Sequence, residues 1–152
     1  EKYNVKVYIE PGEAVALNAG YFITTVLDKV KNSGITCLIL DGSAACHMPD
    51  VLEMPYTPPL SEGSIIETPE KEFDYRLGGN TCLAGDIIGN YRFDHDVQIG
   101  ERLTFCDMAI YSMVKNNTFN GIPLPSIYSM DRNGDCRLIK SFGYNDFKER
   151  LS

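Results

Sequence analysis

A chain of 152 residues, 43% hydrophobic and 23% charged, has the size and composition of one domain with a real core. Its formal net charge of -7 disfavours nucleic acid or an anionic membrane surface as partner and suits cationic ligands. The five cysteines, Cys37, Cys46, Cys82, Cys106 and Cys136, are odd in number and contain no C-x-x-C pair. That pattern predicts free thiols in a reducing cytoplasm and no metal centre. No apolar run is long enough to span a membrane.

In chain order, Val5, Val7 and Ile9 alternate with polar or aromatic residues, which predicts a strand that stops at Pro11-Gly12. "AVALNAG" follows as a short helical turn ending at Gly20. "YFITTVLDKVK", rich in β-branched and aromatic residues, and "TCLILD" read as two strands of a hairpin turning at Asn32-Ser33-Gly34. Pro49 to Leu52 can make one helical turn, because proline is tolerated in a first turn. Pro55, Pro58 and Pro59 then impose an extended loop.

"FDYRLGG" reads as a strand, "NTCLAGDIIGNY" as a glycine-punctuated loop and "RLTFCDM" as another strand. "YSMVKNNTFNG" reads as a short helix ending at Gly121. "LPSIYSM" and "CRLIKSF" flank Asp131-Arg132-Asn133-Gly134-Asp135, a hairpin turn, and "YNDFKERLS" is a polar terminal helix or extension. The sum is a mainly β chain of about seven strands, mostly antiparallel, with long loops. Its opening strand fits the end of something upstream, so the chain reads as the second part of a larger fold.

Three loops concentrate unusual residues: "EPGEA" from Glu10, "GGNTCLAGD" from Gly78 to Asp86, and "DMAIYSM" from Asp107 to Met113. Their order, followed by "FNG", resembles the C-terminal half of the alanine-racemase-fold decarboxylases, pyridoxal-phosphate enzymes acting on ornithine, arginine or diaminopimelate. "LDGSAACHMPDVLEMPY" and "TFNGIPLPSI" are most similar to the branch that decarboxylates carboxynorspermidine and carboxyspermidine.

The resemblance implies an antiparallel β-barrel or sandwich domain over residues 21–152, with residues 1–20 as the end of a (β/α)8 barrel that binds the cofactor. It implies that Glu10 faces the pyridine nitrogen of pyridoxal phosphate, that Gly12 lets a backbone amide approach the phosphate, and that Tyr111 borders the phosphate. Many relatives carry arginine after E-P-G; Glu13 stands here, and either points away or serves the substrate. Cys82 matches a cysteine that reaches into the partner's site of a homodimer and governs protonation of the product, with Asp86 crossing over beside it as a substrate contact.

Where relatives grip a distal substrate carboxylate with arginine, "HMPDVLEMPY" offers Asp50 and Glu53, an inversion of charge that suits the cationic tail of a carboxylated triamine. The lysine that holds the cofactor covalently lies on an early barrel strand in this family, and neither Lys2 nor Lys6 matches it. The chain alone is therefore expected to be inactive, needing a barrel segment as partner. The alternatives are a diaminopimelate, ornithine or arginine decarboxylase of the same fold, a non-catalytic binding homologue, or a β-barrel binding module without cofactor.

Overall fold

The structure, a computed structural model, describes residues 2–151. Its centre is a six-stranded sheet of order β3-β5-β4-β2-β1-β6. β1 (Phe22–Asn32) and β2 (Ile35–Leu40) form the expected hairpin, with Asn32 opposite Ile35 and both turn residues, Ser33 and Gly34, at positive φ. That geometry matches the right-handed twist of the strands it joins. β3 (Ser64–Ile65) lies at one edge, β4 (Asp74–Gly78) and β5 (Ile87–Arg92) pair antiparallel, and β6 (Arg102–Phe105) closes the other edge.

β1 changes partner along its length. Phe22 to Thr25 pair with β6, whereas Val26 to Asn32 pair with β2, and a register shift falls between Val26 and Asp28. Bulged strands of this kind bend and twist more strongly. The sheet curls as a half-barrel. β2 and β4 run parallel, Thr36 opposite Tyr75, within an otherwise antiparallel sheet.

The core lies on the sheet's inner face, where Leu38, Leu40, Leu77, Tyr91, Leu103 and Phe105 are inaccessible to solvent. Tyr91 stacks edge-on against Phe105 at 6.3 Å and donates its hydroxyl to the Pro58 carbonyl at 2.7 Å. A buried phenol without that acceptor would cost about 1–3 kcal/mol. Asp74, also buried, accepts both Nε and an Nη of Arg92 at 2.7 and 2.9 Å, and the guanidinium holds its carboxyl well below the usual carboxylate range.

Four expectations are corrected. Residues 2–10 form no strand here, although the alternation at Val5, Val7 and Ile9 predicts one; they pair with no neighbour that could satisfy a ladder. The segment read as a glycine loop contains β5. Gly89 sits inside that strand because a Cβ would come within 2.6 Å of Thr57 Cγ2, so backbone and crossing loop are in close contact. Third, α2 (Ala44–His47) precedes the expected turn, which is α3 (Asp50–Glu53). Fourth, the single helix expected after residue 110 is two pieces, α4 (Tyr111–Val114) and a 3-10 turn at Phe119–Gly121, separated by non-helical backbone.

The helical turn after Pro11 is α1 (Gly12–Ala16). The second hairpin, β7 (Ile127–Met130) and β8 (Cys136–Lys140), turns as expected at Asp131. The Asp131 carboxylate accepts the backbone amides of Asn133 and Asp135 at 2.8 and 3.0 Å. The chain continues into α5 (Tyr144–Leu151); Ser152, the end of that expected segment, lies outside the described residues.

Candidate active site

The parallel pairing of β2 and β4 requires a crossover, and residues 41–73 supply it; α2 and α3 lie on it. α2 has only one turn, too short to persist alone. Its start is held from outside. Ser43 Oγ accepts the Cys46 amide at 3.1 Å as an N-cap and donates to the Asp86 carboxylate at 2.9 Å. Asp86 also accepts the Thr81 hydroxyl at 2.6 Å and the Ala45 amide at 3.2 Å, and is nearly inaccessible to solvent. Gly79 makes room for it: a Cβ there would lie 2.2 Å from Asp86 Oδ2.

His47 fastens the other end of α2. Its Nδ1 accepts the Ser43 amide at 3.1 Å, which leaves the proton on Nε2, donated to the Pro123 carbonyl at 3.1 Å. Burial pushes the His47 pKa below its ordinary value, against weaker pulls from the Pro123 bond and the Asp86 and Asp41 charges. Asn117 completes the support, donating its side-chain amide to the Ala45 carbonyl at 2.8 Å. α3 follows directly, and its one turn sets Asp50 and Glu53 three apart on one side.

A cleft of about 270 Å³ opens between this crossover, α1 and the loop after β6. Glu13, Asp50 and Asp107 supply its charged lining, with no lysine or arginine among the residues that line it. Met48, Met54 and Met108 give it apolar walls, and Tyr56 and Tyr111 border it. The Tyr56 phenol is pushed up, mainly by burial and further by the charges of Asp50 and Asp107. Asp107 adopts φ 58°, a conformation that short polar side chains tolerate, and its carboxylate accepts the Asn18 amide at 2.9 Å. That bond moors the segment after α1 and so brings Glu13 to the cleft.

Lys115, just beyond α4, forms ion pairs with both Asp50 and Glu53. The two carboxylates hold its ammonium above its ordinary pKa. Its Nζ also lies 5.9 Å from the centre of the Tyr111 ring. The acidic pair is thus already balanced by a cation of the same chain.

The cleft gathers Glu13, Asp50 and Tyr111, and through Lys115 it reaches Glu53. It does not gather the other four. Glu10 and Gly12 lie on the exposed segment before and at the start of α1. Cys82 is exposed on the loop between β4 and β5, its amide donating to the Asn120 side chain at 3.1 Å. Asp86 stands behind α2 with its oxygens engaged by protein donors, where it anchors the crossover. Sequence reasoning missed Tyr56, Asp107, Lys115 and the three methionines; the excess of methionine and acid around "HMPDVLEMPY" was the available signal.

A family model described as the pyridoxal-dependent decarboxylase C-terminal sheet domain matches residues 7–109. The chain is 42% identical over 99% of its length to a carboxynorspermidine/carboxyspermidine decarboxylase of Campylobacter jejuni, and covers 41% of that protein. It is 43% identical over 97% of its length to a carboxyaminopropylagmatine decarboxylase of Synechocystis, covering 38% of it. It thus spans about two fifths of the length of these curated relatives.

Among solved structures, the Campylobacter jejuni carboxynorspermidine decarboxylase complexed with norspermidine superposes with a TM-score of 0.88 at 42% identity, over 98% of this chain and 43% of that one. A diaminopimelate decarboxylase from M. jannaschii, at 18% identity and a TM-score of 0.69 over 89% of this chain and 30% of that one, shares the fold. By the sheet and by the family model alike, this chain belongs to the pyridoxal-dependent decarboxylases and forms their C-terminal sheet domain.

Proposed function

We propose that this chain is the substrate-reading part of a decarboxylase that converts carboxylated polyamines, such as carboxynorspermidine and carboxyspermidine, into the polyamine and carbon dioxide. One observation carries the reading: a cleft with three carboxylates in its lining, no lysine or arginine, and methionine walls. A polyamine tail alternates ammonium groups with short methylene runs. Carboxylates complement the former, and flexible thioethers pack on the latter. The distal carboxylate of diaminopimelate would be repelled by the same lining.

The residues fit the pyridoxal group in part. Tyr111, at the cleft and largely exposed, can donate its phenol to the phosphate; Glu10, exposed and outside the cleft in this chain, is assigned to the ring nitrogen by the resemblance alone. No lysine or arginine lines the cleft, and the nearby Lys115 is engaged by Asp50 and Glu53, so the phosphate charge is balanced by the barrel segment, which also brings the covalent lysine. Gly12 leaves open space for a ligand's approach, with nothing within 4 Å of a Cβ built there. The cofactor supplies an electron sink for the bond to the departing carboxylate. Glu13, Asp50 and Glu53 hold the cationic tail, and residues 1–20 complete the barrel while residues 21–152 form the β-domain.

Cys82, exposed outside its own cleft, serves the site of a second protomer in a homodimer, governing the proton that replaces the lost carboxylate. Mixing an inactive Cys82→Ala protein with an inactive covalent-lysine mutant then restores activity through heterodimers. Confirmed subunit exchange without recovery places both groups in one protomer.

The deciding experiment compares carbon dioxide release from carboxynorspermidine, carboxyaminopropylagmatine and diaminopimelate by the intact holoenzyme. The expected order places the first two far ahead of diaminopimelate. Asp50→Asn raises KM for the better of them about ten- to a hundredfold, the worth of one charge-assisted contact. Preference for diaminopimelate overturns the reading. The carboxyaminopropylagmatine arm has its own support: Asp50 and Glu53, side by side on α3, can accept a planar guanidinium as well as an ammonium.

A further inference from the structure

Between Asp50 and Glu53 the structure already holds an ammonium group, and it belongs to Lys115. We propose that Lys115 is a tethered stand-in for the substrate's tail: it fills the cation subsite between turnovers and withdraws when a polyamine ammonium enters. The inference rests on the carboxylated-polyamine reading above and adds a residue that this reading does not need.

Three features support an exchangeable rather than a fixed pair. Asp50 has a side chain only 11% exposed, so its charge needs a partner whenever the cleft is empty. Lys115 is 34% exposed and arrives from another segment on a long, freely rotating stem, so it can leave without disturbing α3. The Tyr111 ring at the rim of the cleft, its centre 5.9 Å from Nζ while both ion pairs are made, can keep a cation–π contact with the ammonium as it moves off the carboxylates.

The consequence is a threshold. A ligand must displace Lys115, so its apparent affinity is lowered by the fraction of time the lysine occupies the subsite. A ligand presenting one poorly placed ammonium fails to displace it, whereas a polyamine that also engages Glu13 or Asp107 succeeds. The same exchange assists departure of the product, since Lys115 re-enters as the amine leaves.

Two experiments on the intact holoenzyme test this. The first compares Lys115→Met with Lys115→Arg. The methionine variant should show about tenfold lower KM for carboxynorspermidine and about tenfold tighter inhibition by norspermidine, with Lys115→Arg near wild type. An unchanged or higher KM in folded Lys115→Met protein overturns the proposal. The second uses wild-type protein, so it survives misfolding of either variant. Lys115 is labelled with a large excess of an amine-acylating reagent, with and without saturating norspermidine, and read by mass spectrometry as a ratio to the other lysines, because norspermidine itself consumes reagent.

Labelling should rise several-fold with norspermidine as Lys115 is released. No rise, in protein whose melting temperature shows that norspermidine is bound, overturns the stand-in role and leaves the proposed function standing. Protein that neither binds norspermidine nor turns over a carboxylated polyamine overturns both.

Discussion

The curled sheet, antiparallel but for its β2–β4 seam, and the antiparallel second hairpin solve burial in opposite ways. β2 and β4 place Leu38, Leu40 and Leu77 where no solvent reaches them. β8 leaves all five of its residues exposed, Leu138 and Ile139 each about half accessible. An isolated two-stranded hairpin is marginal in water. The sheet can therefore stand on its own side-chain packing, while the hairpin's order rests chiefly on its turn. The exposed Tyr3, Val5, Val7 and Ile9 at the other end of the chain share the hairpin's condition.

That contrast can be broken most forcefully at the sheet. Leu38→Ala should cost about 2–5 kcal/mol of stability, because a fully enclosed strand cannot collapse onto the cavity. Chemical denaturation of the purified protein measures it, and a loss below about 1 kcal/mol would show that the sheet is less rigidly packed than its burial implies.

The link between the two regions gives an intermediate effect. His47 Nε2 bonds the Pro123 carbonyl on the segment that leads to the hairpin, and the ring is neutral because burial lowers its pKa. As pH falls below about 6.5, the ordinary histidine value, the unfolded chain takes up a proton that the folded chain refuses. Stability should therefore decline with falling pH from that point and level off once the lower folded pKa is passed. His47→Gln should remove that part of the decline in melting temperature between pH 7 and pH 5. An identical slope in the variant would assign the acid sensitivity elsewhere.

The smallest effect belongs to the hairpin itself. Leu138→Ser should change stability by no more than about 0.5 kcal/mol, as exposed substitutions do. A larger loss would sharpen the comparison, since it would mean that this face is covered rather than open.

The same division explains what could be read in the sequence. β1, β2, β4 and β6 were legible because apolar runs and turn residues are local signals, and Asp131 to Asp135 announced the second hairpin in the same way. β5 was not, because Gly89 and the register shift beside Gly78 break its alternation. The strand over Lys6–Glu10 failed for a different reason: alternation describes a surface to be covered, and a ladder also needs a neighbour. At the cleft, Asp50, Glu13 and Tyr111 could be singled out because motifs carry them. Lys115 was not, since its ion pairs join residues 65 and 62 positions apart, a distance that no spacing rule reaches. Asp86 shows the converse, a motif residue whose carboxylate is spent on holding α2.

The parallel seam between β2 and β4 has an evolutionary consequence. Antiparallel neighbours can be joined by two residues, so their connections have little capacity to vary. A parallel pair obliges the chain to travel, and here that journey is residues 41–73, the stretch that carries Asp50 and Tyr56 to the cleft. Its length and composition can drift while the strands it joins keep their hydrogen bonds, because loop length costs little entropy once the loop is long. The seam therefore obliges the sheet to carry a long excursion, and it is this excursion that places Asp50 and Tyr56 without altering the strands it joins.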